Sequence, residues 1–226
     1  MLDPAELLDR VAQTDGYQNL APPLQVALFL GALVLLSAAL VSLTSFTRIV
    51  IVLSFVRRAL STQEIPPNPV VIGLALFLTY FVMGPTLEAV NARAITPYLD
   101  GKIGGAAAVQ MGAVEFQRFM LRQTRKQDLA LFIHLAGGAS VESPEDTPMR
   151  VLIPAFVISE LKTAFIMGFC IYVPFLLIDM VVSTVLMSMG MMMMPPVIVS
   201  TPFKILLFVL VDGWHLIARA LSVSFG

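Results

Sequence analysis

The sequence predicts an all-α integral membrane protein with two long apolar helical hairpins, four nominal transmembrane segments in all. A helical, polar, extracytoplasmic segment joins the hairpins. Three observations carry this expectation. Of 226 residues, 58% are hydrophobic and only 13% charged, with a mean hydropathy of +0.87, against about 25% charged in ordinary soluble chains. Apolar runs, two of them free of charge, approach or exceed the roughly 20 helical residues that span a hydrocarbon core. Between them, residues 88–162 hold eight acidic and eight basic side chains. The net charge of −1 and the absence of a basic tail give nucleic acid nothing to bind. The single cysteine, Cys170, lies within an apolar run, so no disulfide forms within the chain.

Residues 1–23 form a polar N-terminal segment. Four acids against Arg10 in the first twenty residues is the wrong sign for the start of a secretory signal. Either the chain has no cleaved signal or one was removed before this numbering begins.

The first apolar hairpin occupies 24–87. No charge occurs from 24 to 47; Arg48 and the pair Arg57 and Arg58 then interrupt SFTRIVIVLSFVRRAL. The pattern predicts one long helix leading into a basic turn, stopped by Pro66, Pro67 and Pro69. The three arginines against Glu64 put that turn on the cytoplasmic side. The second arm, 70–87, carries Gly84-Pro85, a kink or an end.

Residues 88–162 read as polar and partly amphipathic. VEFQRFMLRQTRKQDLALFIHLAG has helical apolar spacing through Val114, Phe116, Phe119 and Met120, resumed at Leu129, Phe132 and Ile133. It is one amphipathic helix or a pair. Arg118, Arg122, Arg125 and Lys126 form either a solvated face or an anion-binding patch. GKIGGAAA and GGASVESPEDTP have loop composition.

The second apolar hairpin, 163–226, follows Glu160 and Lys162. Asp179, Lys204 and Asp212 stand inside its arms, where an ionisable group needs a partner or water. Helical rise puts Asp179 and Lys204 within about a turn of one height, so they pair within one chain or between copies. Arms so broken by charge and proline suit protein neighbours better than lipid. The turn between them is MSMGMMMMPP, with six of the thirteen methionines in 187–194 and no charge from 180 to 203. A turn of this kind ordinarily carries polar residues. Flexible, polarisable methionine either fills a core or lipid-facing space, or forms a deformable lining.

No phosphate loop, nucleophile elbow or Cys/His metal spacing occurs, and His134 and His215 stand alone. Asp179 and Asp212 are the only carboxylates available for an intramembrane dyad, and Lys204 competes for them. The chain therefore reads as no enzyme, with no cofactor and no metal.

SFTRIVIVLSFVRRAL, FMLRQTRKQDLALF, LIPAFVISELKTAF, VPFLLIDMVVSTVLMSMGMMMMPP and PFKILLFVLVDGW, in this order, closely resemble the FliP/SctR export-gate family of type III secretion systems. The resemblance covers 24–218, and its wording favours the flagellar branch. It implies a pentamer of this chain assembled with FliQ and FliR, and with FlhB and FlhA nearby, in the bacterial inner membrane. Much of the complex would stand at periplasmic height, with unfolded export substrates passing through its centre. The same resemblance assigns Met191, Met192, Met193 and Met194 to a pore gasket. It makes Glu160, Lys162, Asp179 and Lys204 contacts between helices or subunits. A channel or secondary transporter for small solutes shares the broken helices and buried charges and is the alternative, although ion filters use carboxylates or carbonyls and not methionine.

Overall fold

The structure is a computed structural model and describes residues 21–62, 65–137, 144–191 and 194–226. Among these residues the regular structure is entirely helical. Residues 1–40 and 41–226 are two separate units. In the first lies most of α1 (Pro22–Leu43), which is uncharged and apolar all round.

The second unit is built around α2 (Phe46–Ala59). Its apolar residues recur at helical spacing, and Ile49, Val52, Leu53 and Val56 are buried to within 2%. The expected single helix through 24–58 is therefore two, interrupted at Thr44 and Ser45. The sequence SLTSF supplies the reason: adjacent hydroxyl residues compete for backbone groups and favour turns over helix interior. Thr44 Oγ1 accepts from the Phe46 amide at 3.3 Å, and Thr47 Oγ1 donates to the Val41 carbonyl at 2.6 Å.

Helix α3 (Asn68–Val90) starts on Pro67 and runs on past Pro85 without ending there. A π-helical stretch, Asn91–Ile95, carries it into α4 (Thr96–Leu99). The boundary expected at 87/88 thus falls inside a continuous helix of 32 residues, Asn68–Leu99. Next come α5 (Gly105–Gln123) and α6 (Lys126–Leu135), so the amphipathic region is a pair of helices. The alanines of GKIGGAAA, expected in a loop, form the first turn of α5; alanine is the best helix former and outweighs the glycines before it.

Helix α7 (Met149–Ser188) runs for 40 residues through Pro154 and Pro174, roughly 60 Å at 1.5 Å per residue. It crosses the expected boundary at 162/163 without a break. Glu160 and Lys162 suggested an end, but one is buried and the other projects outward. Helix α8 (Pro196–Leu210) returns alongside α7, and α9 (Gly213–Val223) follows a 63° bend. Asp212, expected inside the second arm, instead occupies that bend in the left-handed region, φ 50°, with its side chain exposed. By length and composition α1, Asn68–Leu99 and α7 can each cross a membrane, and the bent pair α8 and α9 makes a fourth span if taken as one.

Helices α2 and α7 run parallel: Arg48 lies against Glu160, and Phe55 against Gly168. A Cβ at Gly168 would stand 2.5 Å from the Phe55 ring and 3.0 Å from its Cβ, so only glycine lets the two helices approach this closely. Helix α3 runs the other way. Val71 and Ala75 join the cluster around Val52 and Val56, whereas Met83 packs with Phe119 and Phe156 near the start of α2. Gly168→Ala is expected to cost about 1–3 kcal/mol from overpacking, and Phe55→Ala in the same chain to recover part of it. Thermal unfolding of the four variants in one detergent checks this; additive losses would mean that the two sites do not touch.

Candidate functional site

Polar side chains inside the apolar core gather at two levels. At the first, Arg48 is 2% exposed and Glu160 is fully buried. Arg48 Nε donates to Glu160 Oε2 at 2.8 Å, and its Nη2 donates to Oε1. Nη1 donates to the Ser224 carbonyl at 3.0 Å and to Ser224 Oγ at 3.1 Å, while Nη2 also reaches Gln123 Oε1 at 3.3 Å. The Gln123 amide donates to the Phe225 carbonyl at 3.0 Å, and the guanidinium carbon lies 3.8 Å from the centre of the Phe225 ring. A planar fork with five N–H donors uses this geometry; an ammonium does not. The expected basic turn of Arg48, Arg57 and Arg58 therefore divides. Arg57 and Arg58 close α2, with Arg57 donating to Asn68, but Arg48 stands in the first turn of α2 as half of a buried ion pair.

The second level joins α7 to α8. Lys204, 1% exposed, donates to Asp179 Oδ2 at 2.6 Å and to Ser61 Oγ at 2.6 Å. Ser200 Oγ donates to Asp179 Oδ1 at 2.5 Å. Ser61 takes a positive φ of 57° directly after α2, which places its hydroxyl over the lysine. The structure thus brings Asp179 and Lys204 together within one chain. Lys162, by contrast, is exposed and has no ion-pair partner among the described residues.

Beyond the second level, α7 and α8 continue as an apolar tip. Leu177, Val181, Val185, Met189, Val199 and Phe203 line a wholly apolar open groove of about 630 Å³. The Gly190 φ of 75°, a Met191 amide bond to the Leu186 carbonyl and a Gly190 amide bond to the Met187 carbonyl, both 3.0 Å, end α7 in the Schellman pattern that glycine favours. This releases the chain into the methionine loop. Met187 and Met189 are 63% and 68% exposed, Met191 and Met194 39% and 42%. Met192 and Met193 lie outside the described residues.

Elsewhere Glu115 accepts from Arg93 at 2.7 Å and Arg118 at 2.8 Å. Desolvation alone would raise its pKa, but the two guanidiniums hold it below the usual 4.5. Arg118 is thereby tied down, whereas Arg122 and Lys126 are exposed to solvent. Among the described residues no cluster of His, Cys, Asp and Glu could hold a metal ion. Sequence reading missed Gln123, Ser224 and Phe225, which meet Arg48 only through the tertiary fold, and Ser61 and Ser200 around Lys204. Ser45 Oγ is buried with no partner among the described residues, and nothing in the sequence marked it.

The model of the FliP family matches residues 29–221, a range that holds both ion pairs and the methionine loop. The chain belongs to the FliP family. It is 53% identical over 208 residues to the flagellar biosynthetic protein FliP of Bacillus subtilis, covering 92% of this chain and 94% of the relative. It is 53% identical to the FliP of Pectobacterium carotovorum, over 93% and 82% of the two chains. With the FliP of Aquifex aeolicus the identity is 44%, over 93% and 89%. A FliP-family chain with this many apolar helices is a membrane protein.

Two sets of substitutions follow from the two levels. Arg48→Ala or Glu160→Ala strands a buried charge and is expected to cost about 3–5 kcal/mol, whereas Arg48→Met with Glu160→Met costs much less. Denaturant unfolding in detergent separates the cases; a double variant as unstable as either alanine variant would contradict this account. At the second level, Asp179→Ala should destabilise more than Lys204→Ala, because the lysine side chain is 2% exposed and the aspartate 26%. Exchanging the two residues should restore part of either loss. Three variants each as stable as the parent would show that the pair contributes nothing to stability.

Proposed function

We propose that this chain is a core subunit of the flagellar type III secretion export gate, where loop 191–194 serves as the gasket of a pore for unfolded export substrates. The observation that carries the reading is the α7–α8 tip. An ion pair locks the two helices at its base, its walls are apolar, and the methionine loop closes its end. In this reading five copies of the chain assemble with FliQ and FliR, beside FlhB and FlhA, in the bacterial inner membrane. Lipid surrounds part of the complex, and much of it stands at periplasmic height. The Arg57 and Arg58 end of α2 faces the cytoplasm, and so does the methionine tip. Glu160, Asp179 and Lys204 hold helices in place, and Lys162 makes a subunit contact. No residue acts as a catalyst.

The chemistry of the loop suits the task. A passage for unfolded chains must close at rest and part for side chains of every size. β-Branched residues have few rotamers and would fix one aperture, and charged residues would hydrate it. Methionine has three flexible torsions and a soft apolar surface, and an apolar constriction excludes ions by dewetting.

Replacing Met191, Met192, Met193 and Met194 together by Ala is expected to leave folding and assembly intact, because Met191 and Met194, the described residues of the loop, lie outside both buried clusters. The resting gate should become leaky. Membrane conductance or small-solute uptake in cells carrying the variant is the measurement, with assembly followed in parallel. An assembled variant as tight as the parent would falsify the gasket assignment.

A further inference from the structure

Methionine stands at two extremes in this fold. Met83 and Met120 are 2% and 0% exposed and pack with Phe119 and Phe156. At the α7–α8 tip the thioethers are open: Met187 and Met189 are 63% and 68% exposed, Met191 and Met194 39% and 42%. All four lie outside both buried clusters. No charged residue occurs from 180 to 203, and the groove beside them is wholly apolar. Small solutes carried by water reach these four sulfurs and not the two in the core.

We propose that Met187, Met189, Met191 and Met194 are a peroxide-sensitive oxidation site, and that sulfoxide formed there turns the tip from a dry seal into a wet, leaky one. The proposal rests on the gasket reading and adds a chemical control to it. The step is a two-electron oxygen transfer. A sulfur lone pair attacks one oxygen of hydrogen peroxide, and the S–O bond forms as the O–O bond breaks. The departing hydroxide takes the proton of the transferred oxygen and leaves as water. Sulfur is oxidised, the peroxide is reduced, and no further reactant is needed. The product is of the kind that methionine sulfoxide reductases reverse.

Position decides the consequence. Sulfoxide at Met83 or Met120 would disrupt the core; at the tip the fold has no such dependence, and what changes is the surface. A thioether sulfur is a weak hydrogen-bond acceptor, whereas a sulfoxide oxygen is a strong one and holds water. An apolar constriction stops ions only while it is dry, so a few oxygens on its wall admit water. That water carries peroxide to the next sulfur, and the reaction spreads from the most exposed residues, Met187 and Met189, to Met191 and Met194. Leucine of similar volume substitutes for methionine at small cost and has no sulfur to oxidise. Softness and reactivity therefore come with the same side chain.

The test uses the full chain assembled with its partner subunits in sealed membrane vesicles, with the exposed Cys170 replaced by Ser throughout. The vesicles are treated with hydrogen peroxide; peptide mass spectrometry locates the sulfoxide and ion conductance reports the leak. Sulfoxide should form at Met187 and Met189 first, then at Met191 and Met194, with Met83 and Met120 unmodified, and conductance should rise several-fold. Replacing the four tip methionines together by Leu should remove most of that rise. Met111→Leu with Met180→Leu, two positions exposed off the tip at 44% and 59%, should leave it unchanged. Sulfoxide at Met111 and Met180 but not at the tip, or a four-leucine variant that leaks as much as the parent, overturns the proposal. An oxidised parent that stays tight overturns it alone if the alanine variant of loop 191–194 leaks, and overturns the gasket reading as well if that variant is also tight.

Discussion

A guanidinium taken out of water needs a carboxylate and several further acceptors, and Arg48 draws them from three other stretches of chain. Glu160 supplies the charge from α7, Gln123 an amide oxygen from the end of α5, and Ser224 a carbonyl and a hydroxyl from beyond α9. Desolvating such a pair is expensive, and its net contribution to stability is small when compared with an apolar core of the same shape. What the pair adds is uniqueness of arrangement. Leucines and valines on α2 tolerate many rotations against α7; the five donors of Arg48 are satisfied in one. The parallel setting of α2 and α7, the return of α9 and the packing of Phe225 on Arg48 all follow from satisfying this one side chain.

The second polar level does related work at a different place. Along α7, Glu160 and Asp179 are 19 residues apart, roughly 28 Å. Between them the helices are apolar and closely packed, with Gly168 admitting Phe55. Past Asp179 the packing of α2 ends, and only α8 accompanies α7 to the methionine loop. Lys204 and Ser61 therefore mark where the three-helix core gives way to a two-helix projection, and that projection stays in register because its base is pinned by an ion pair.

Part of this was legible in the sequence. Asp179 and Lys204 stood out because a charge in a long apolar run has few acceptable partners, and helical rise put them at one height. The uncharged run of methionines ending in a proline pair marked the loop. Arg48 reads in the sequence as an orientation signal, because an arginine flanking an apolar run ordinarily reports membrane orientation; its carboxylate lies 112 residues away, and no local pattern connects them. The break at Thr44 and Ser45 was obscured by the continuous hydrophobicity around it. The end expected near residue 162 came from counting Glu160 and Lys162 alike, although they lie on different faces of α7, one inward and one outward.

The length of α7 has a further consequence. A helix of roughly 60 Å is about twice the thickness of a bilayer's hydrocarbon layer, near 30 Å, and its apolar side chains continue to both sides of any such slab. The parts left over are poorly matched to water, and lipid does not extend to them. A newly made copy on its own thus presents sticky surface that chaperones and proteases are built to detect. Its lifetime in the cell is set by how soon partners cover that surface, which ties the abundance of this chain to the supply of the proteins it joins.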